Sequence, residues 1–243
     1  MWSDALLVAG GCFVAAFFSG MAGFAFVLVA AGILLHVVPP NVTAPVLVLG
    51  SLVAQCVSLP PLLKHIDWAR LRLFLPMAVV GLPVGLLVLA KGPAPAIVVG
   101  VGVLLIAYSG YMLARIALRL APPKISGGPR ADGVIGFLSG ILGGIGGFVG
   151  ALPAMWADIQ GWPKDQSRAF LQPFIAFMQA ITAVSLSFSG FITRQSLLLT
   201  GAAVPSLIIG TMLGLRAYRA MPAQGFRILL LVLLFVSGIS LLL

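Results

Sequence analysis

Apolar runs of about twenty residues follow one another along almost the whole chain, divided by short turns that hold most of its charges. Runs of this length cross a hydrocarbon core of about 30 Å at about 1.5 Å per helical residue. On that basis residues 42 to 63, 71 to 90 and 94 to 118 are expected to span in the first half, and 169 to 190, 196 to 217 and 224 to 243 in the second. The stretches that open the two halves differ from these. Residues 4 to 37 would form about 50 Å of unbroken helix, so they must break, and Ser19-Gly20-Met21-Ala22-Gly23 is the expected place. Residues 133 to 161 carry six glycines between Ser139 and Gly150. Each interior glycine costs a helix about 1 kcal/mol relative to alanine, which predicts a second break there. Backbone groups freed inside a bilayer are tolerated only against buried protein or a watery cavity, so both breaks are candidate sites. The competing reading is that small residues let two helices approach closely.

The same order of features occurs twice. A shift of 120 places Ser19 on Ser139, Gly20 on Gly140 and Gly23 on Gly143. A shift of 124 places Pro39 on Pro163, Asn41 on Asp165, Gln55 on Gln179 and Arg70 on Arg194, and a shift of 129 places Pro76 on Pro205, Gly81 on Gly210 and Gly85 on Gly214. The expected organisation is a first transmembrane repeat at 1–119, a cytoplasmic linker at 120–131 and a second repeat at 132–243. Each repeat would open with a glycine-broken helical hairpin followed by three transmembrane helices.

Composition agrees with the pattern and narrows it. Of 243 residues 61% are hydrophobic and 8% charged, with mean hydropathy +1.18, whereas soluble domains carry about 25% charged residues. The fold class expected is an all-α polytopic integral membrane protein. The formal charge of +9 comes from 14 Lys and Arg against five Asp, and in such a chain it reports loop orientation and anionic lipid contact rather than nucleic-acid binding. If each opening stretch crosses once, the basic residues divide six against eight. If each folds back on itself, Lys64, Arg70, Arg72, Arg115, Arg119, Lys124, Arg130, Lys164, Arg168, Arg216, Arg219 and Arg227 share one side, against Lys91 and Arg194. That asymmetry favours hairpins, three net crossings per repeat, repeats of opposite orientation and both termini periplasmic. Met1-Trp2-Ser3-Asp4 lacks the basic segment of a cleaved signal peptide, so the N-terminus is expected to be mature.

Few residues carry chemistry. Cys12, Cys56, His36 and His65 are scattered, which supports neither a disulfide framework nor a metal site, and no cofactor is implied. Asp4, Asp67, Asp132, Asp158 and Asp165 all fall near expected helix ends, leaving no mid-membrane carboxylate for a proton relay or sodium cage. Two inverted repeats with broken helices are the layout of secondary transporters whose site lies near the midplane. Half-helix N-termini attract anions, which nominates Ser19, Gly20 and Gly23, and Ser139, Gly140, Gly143, Gly144, Gly146 and Gly147, for substrate binding. Gln55 and Gln179 lie near mid-bilayer at matching positions, where an amide needs a partner. Each is either an interhelical clamp or a substrate contact. Arg168 and Gln172 open their helix without a basic counterpart in the first half. They line an anion entrance, or Arg168 is an interfacial arginine.

The Ser19-Gly20-x-x-Gly23-Phe24 opening, the Ser139 to Gly147 run, the proline turn after each and the Pro…Gly…Gly spacing in both halves resemble the TauE/SafE sulfite exporter family over nearly the whole chain. The resemblance implies export of a small sulfur-containing anion, sulfite or an organosulfonate such as sulfoacetate, across the bacterial inner membrane. The first half departs where Phe24, Ala25 and Phe26 stand against Gly144, Ile145 and Gly146, which puts more weight on the second break. The partners implied are the small anion and membrane lipids, with a homo-oligomer compatible. The protein is not expected to be an enzyme. Two other readings differ in class: an intramembrane serine protease using Ser19, Ser139 or Ser189, which needs a histidine at matching depth, and a non-transporting assembly scaffold.

Overall fold

The computed structural model describes residues 2–34, 37–91, 94–120, 127–240 and 242, so His36, Lys124 and half of the expected linker lie outside the described residues. The described chain is helical: α1 (Trp2–Ala22), α2 (Phe26–Leu34), α3 (Pro40–Ser58), α4 (Trp68–Lys91), α5 (Ala94–Ala117), α6 (Pro129–Gly146), α7 (Ala151–Ile159), α8 (Lys164–Phe188), α9 (Arg194–Ala220) and α10 (Ala223–Ser240). Among the described residues five segments are long and apolar enough to cross a membrane: Asn41–Ser58, Trp68–Val88, Lys164–Phe188, Arg194–Ala220 and Ala223–Ser240. Leu6–Ala22 in α1 and Gly102–Ala117 in α5 are further apolar helical segments. This is a polytopic membrane protein.

Element boundaries follow local chemistry. α3 ends at Ser58, short of the expected residue 63, because Pro60 and Pro61 have no N–H to continue the ladder, and the chain passes into a 3-10 turn at Pro60–His65. α6 begins at Pro129, inside the segment expected to be linker, since a first-turn proline loses no helical hydrogen bond. The opening stretch of each half does break, at one glycine each. Gly23 has φ +89° and Gly147 has φ +77°, a left-handed backbone that glycine adopts without the penalty a Cβ would bring. In the second half most of the glycine run does not break the helix: Gly140, Gly143, Gly144 and Gly146 are all within α6. The helices after the bends, α2 and α7, have nine residues each, about 14 Å, and cannot cross by themselves.

Close packing explains why α6 keeps its glycines. The most extensive helix contacts join α1 to α9 and α4 to α6, so the opening helix of each half lies against a helix of the other half. A Cβ built on Gly140 would lie 2.0 Å from the Ala78 carbonyl oxygen, on Gly144 2.5 Å from that of Leu82, and on Gly81 2.1 Å from that of Phe137. At the other contact, a Cβ on Gly20 would meet the Thr211 oxygen at 2.5 Å and one on Gly214 the Phe17 oxygen at 2.1 Å. Backbones this close have no room for a methyl group, which is how small residues associate helices in lipid.

The contact gives a direct expectation for stability. Gly140→Leu drives a side chain into the α4 backbone and should destabilise the protein by about 1–3 kcal/mol or more. Gly201, on the same helix as Gly210 and Gly214, has nothing within 4 Å of a built Cβ, so Gly201→Leu should leave melting unchanged or raise it. Thermal unfolding in detergent compares the two, and equal melting temperatures would remove the packing role from α6.

Candidate functional site

Each bend leaves a carbonyl outside the helical ladder, and the same side chain type answers it in both halves. Gln55 Nε2 donates to Gly23 O at 3.4 Å, and Gln179 Nε2 donates to Gly147 O at 3.1 Å. Glutamine and glycine are 32 residues apart in both cases, and the two sets are 124 residues apart. The bends therefore correspond at a shift of 124, with Gly23-Phe24 on Gly147-Phe148, rather than at the shift of 120 read from Ser19 and Ser139. At this register both halves carry Gly-Phe at the bend, and the expected departure at Phe24 disappears. A Cβ built on Gly150 would lie 2.9 Å from Phe24 Cβ, and one on Gly147 3.6 Å from Val27 Cγ1, so the bends meet each other. Each glutamine is a clamp through its nitrogen, while its oxygen is buried without a hydrogen-bond partner.

The long helix α8 supplies the rest. Arg168, Gln172 and Gln179 are spaced by four and seven residues and so share one face, about 16 Å long. Arg168 is 1% exposed, so it is not an interfacial arginine. Its Nη1 donates to Met21 O at 3.4 Å, one of the carbonyls that the end of α1 leaves free, where a cation is also favoured by the helix dipole. Its guanidinium carbon lies 4.2 Å from the centre of the Tyr218 ring, and the Tyr218 hydroxyl donates to Asp165 Oδ1. Arg168 Nη2 has no partner, and neither Gln172 Nε2 nor Gln172 Oε1 has one. A Cβ on Gly23 would stand 3.4 Å from Gln172 Cγ and 3.6 Å from Arg168 Cγ, which places these two side chains at the first bend.

Of the residues nominated from sequence, Gly23, Gln55, Arg168 and Gln172 come together at one bend, and Gly147 and Gln179 at the other. Ser19 and Gly143 contribute the carbonyls that accept the Gly23 and Gly147 amides, at 2.7 and 2.8 Å. Gly146 packs under Phe148. Gly20, Gly140 and Gly144 lie in the helix contacts described above, away from the bends. The Ser139 hydroxyl donates to Ile135 O in its own helix at 2.6 Å, and His65 is exposed in the 3-10 turn, so no protease pairing forms between them. Sequence reasoning passed over Tyr218 and Asp165, which hold Arg168; nothing in the local pattern marks a tyrosine in the last turns of α9.

The arrangement has a defined chemistry. Arg168 Nη2 and Gln172 Nε2 are buried donors, one of them cationic, and suit the charge of an oxyanion. The oxygens of Gln55, Gln172 and Gln179 are acceptors and suit water or a protonated oxyanion. Each buried polar atom left unpaired costs about 1–3 kcal/mol, which a ligand carrying the complementary groups would recover.

A family model described as Sulfite exporter TauE/SafE matches residues 7–241. No curated protein and no solved structure matches the chain.

Function and stability should separate at these side chains. Gln172→Leu removes two unpartnered polar atoms and should leave the melting temperature unchanged or higher. Gln179→Leu strips the bend carbonyl of its donor and should lower stability by about 1–3 kcal/mol. Equal losses in both variants would mean that Gln172 holds the fold.

Proposed function

The chain belongs to the sulfite exporter TauE/SafE family, a family of membrane transporters, and on that premise we propose that it exports a small sulfur-containing anion, sulfite or an organosulfonate such as sulfoacetate, across the bacterial inner membrane. The observation that carries the anionic site is Arg168, fully buried with a free Nη2 beside Gln172, at a bend held by Gln55. The substrate sits between the bends, with its charge toward Arg168 and Gln172 and its remaining oxygens reached through Gln55 and Gln179. Gly23 and Gly147 admit it by leaving no side chain in the way. Ser19, Gly143 and Gly146 shape the bends, and Gly20, Ser139, Gly140 and Gly144 act through packing.

The site is proposed to lie between two inverted repeats, 1–119 and 132–243. What supports this is the reciprocal packing of α1 on α9 and of α6 on α4, the paired glutamine clamps and the matched bends. Several basic loops also meet at one end: Arg70 lies 3.9 Å from the Trp162 ring, and Lys164 Nζ donates to Met221 O at 2.8 Å. This end is assigned to the cytoplasm and both termini to the periplasm. An anion leaving a negative interior gains about 2.3 kcal/mol per charge per 100 mV, enough to drive export without a coupling ion.

In proteoliposomes, Arg168→Gln should slow sulfite or sulfoacetate efflux at least about tenfold, since a hydrogen bond to a charged group contributes about 1.5–3 kcal/mol; Arg168→Lys should retain part of the rate. Wild-type efflux from Arg168→Gln would move the site elsewhere. For orientation, in a background without Cys12 and Cys56, Arg194→Cys should react with an impermeant maleimide applied outside intact cells and Arg219→Cys should not. The reverse labelling would invert the assignment.

A further inference from the structure

At the end of the bundle where the basic loops gather there is a cavity of about 540 Å³, walled by the end of α5, the turn between α7 and α8, and the start of α10. Three cations line it, Arg119, Lys164 and Arg227, against one acid, Asp158. The acid is already neutralised: Arg227 Nε meets Asp158 Oδ1 at 2.6 Å, and the Tyr108 hydroxyl donates to Oδ2 at 2.7 Å. Two positive charges remain on its lining. Lys164 Nζ gives one N–H to Met221 O and lies 4.8 Å from the centre of the Tyr218 ring, and the Arg119 guanidinium has no hydrogen-bond or ionic partner among the described residues. Arg119 is also the only non-glycine with positive φ among the described residues, at +55°. It closes α5 at the position where glycine is the ordinary choice: the Leu120 amide reaches back to Arg115 O at 2.9 Å. A guanidinium is thus held where glycine would be less strained, the kind of departure that marks a functional position.

Trp162, Phe226 and Leu230 supply apolar lining. Phe226 packs edge-on to Tyr218 with ring centres 5.6 Å apart, and Arg168 lies on Tyr218. These two aromatic rings link the cavity lining to the buried Arg168 by contact. We propose that the cavity is an outer binding site for amphiphilic monoanions, with Arg119 and Lys164 holding the anionic head and Trp162, Phe226 and Leu230 covering a short apolar tail. Its volume lies in the range of small-molecule pockets and exceeds what an inorganic oxyanion needs. Its role as the place where an anion waits before moving on toward Arg168 rests on the transport reading; binding itself does not.

Calorimetry on the full chain in phosphatidylcholine nanodiscs, with methanesulfonate and propanesulfonate as probes, tests the site. Burying a methylene is worth about fourfold in affinity, so propanesulfonate, with two more of them, should bind about fifteenfold more tightly than methanesulfonate. Phe226→Ala should shrink that difference. Arg119→Gly relieves the left-handed backbone, so it should fold at least as well as the parent, and it should weaken propanesulfonate about fivefold. Equal affinity for the two probes or parental affinity in Arg119→Gly would each overturn the outer site. Loss of propanesulfonate binding on changing to phosphatidylglycerol nanodiscs would overturn it in favour of a lipid headgroup. Should the parent protein export no sulfur anion, the transport reading falls while the chain-length dependence still decides this one.

Discussion

A helix interrupted inside a bilayer has no water to satisfy the groups it frees, and this protein meets that constraint with two glutamines. Gln55 and Gln179 each give their amide nitrogen to the carbonyl of a bend glycine, so the interruption is bonded rather than merely tolerated. The choice of an amide has a consequence that a lysine or serine would not bring. Once its nitrogen is fixed, its oxygen is held nearby as an acceptor, buried and unpaired. The groups that make the bend stable are therefore the groups that make it polar, and the proposed site follows from the solution to a folding problem.

Glycine has two separate duties in this chain. At positions 23 and 147 it supplies a backbone conformation. At 20, 81, 140, 144 and 214 it supplies the absence of a side chain, letting α1 lie on α9 and α6 on α4. The second duty binds the opening helix of each half to a helix of the other half. Without water to drive helices together, contact at van der Waals distance and buried hydrogen bonds have to do it, and reciprocal exchange leaves neither half with a packed opening helix of its own. The bends are thereby held in contact, Phe24 against Gly150.

The halves are unequal where charge is concerned. Arg168 has alanine at the corresponding place 124 residues earlier, Ala44, and the acids Asp132, Asp158 and Asp165 face Val8, Leu34 and Asn41. In the second half those acids accept hydrogen bonds from Trp156, Arg227 and Tyr218 and tie α6, α7 and α8 to their neighbours. A buried arginine is costly unless its charge is answered. Here a ring face and a carbonyl answer part of it, and one guanidinium nitrogen, Nη2, is left unbonded.

Much of this could be read from the chain alone. Apolar run length determined the membrane class and the approximate spans, because hydrocarbon thickness sets them. The excess length of residues 4 to 37 required a break, and the repeated order of features brought Gln55 and Gln179 into correspondence. The position of each bend and the duty of each glycine were not legible, since a glycine that bends a helix and one that lets a neighbour approach are the same letter. Gly140 and Gly144 look like a break and are helix, because only the partner helix, more than fifty residues away in sequence, decides whether the missing Cβ is needed for space. Arg168 looks interfacial, one turn from the start of its helix, and is buried because the bend of α1 and Tyr218 of α9 close over it. Local pattern carries periods and lengths; which surfaces meet is decided by the packing of distant segments, and the proposed site lies where they meet.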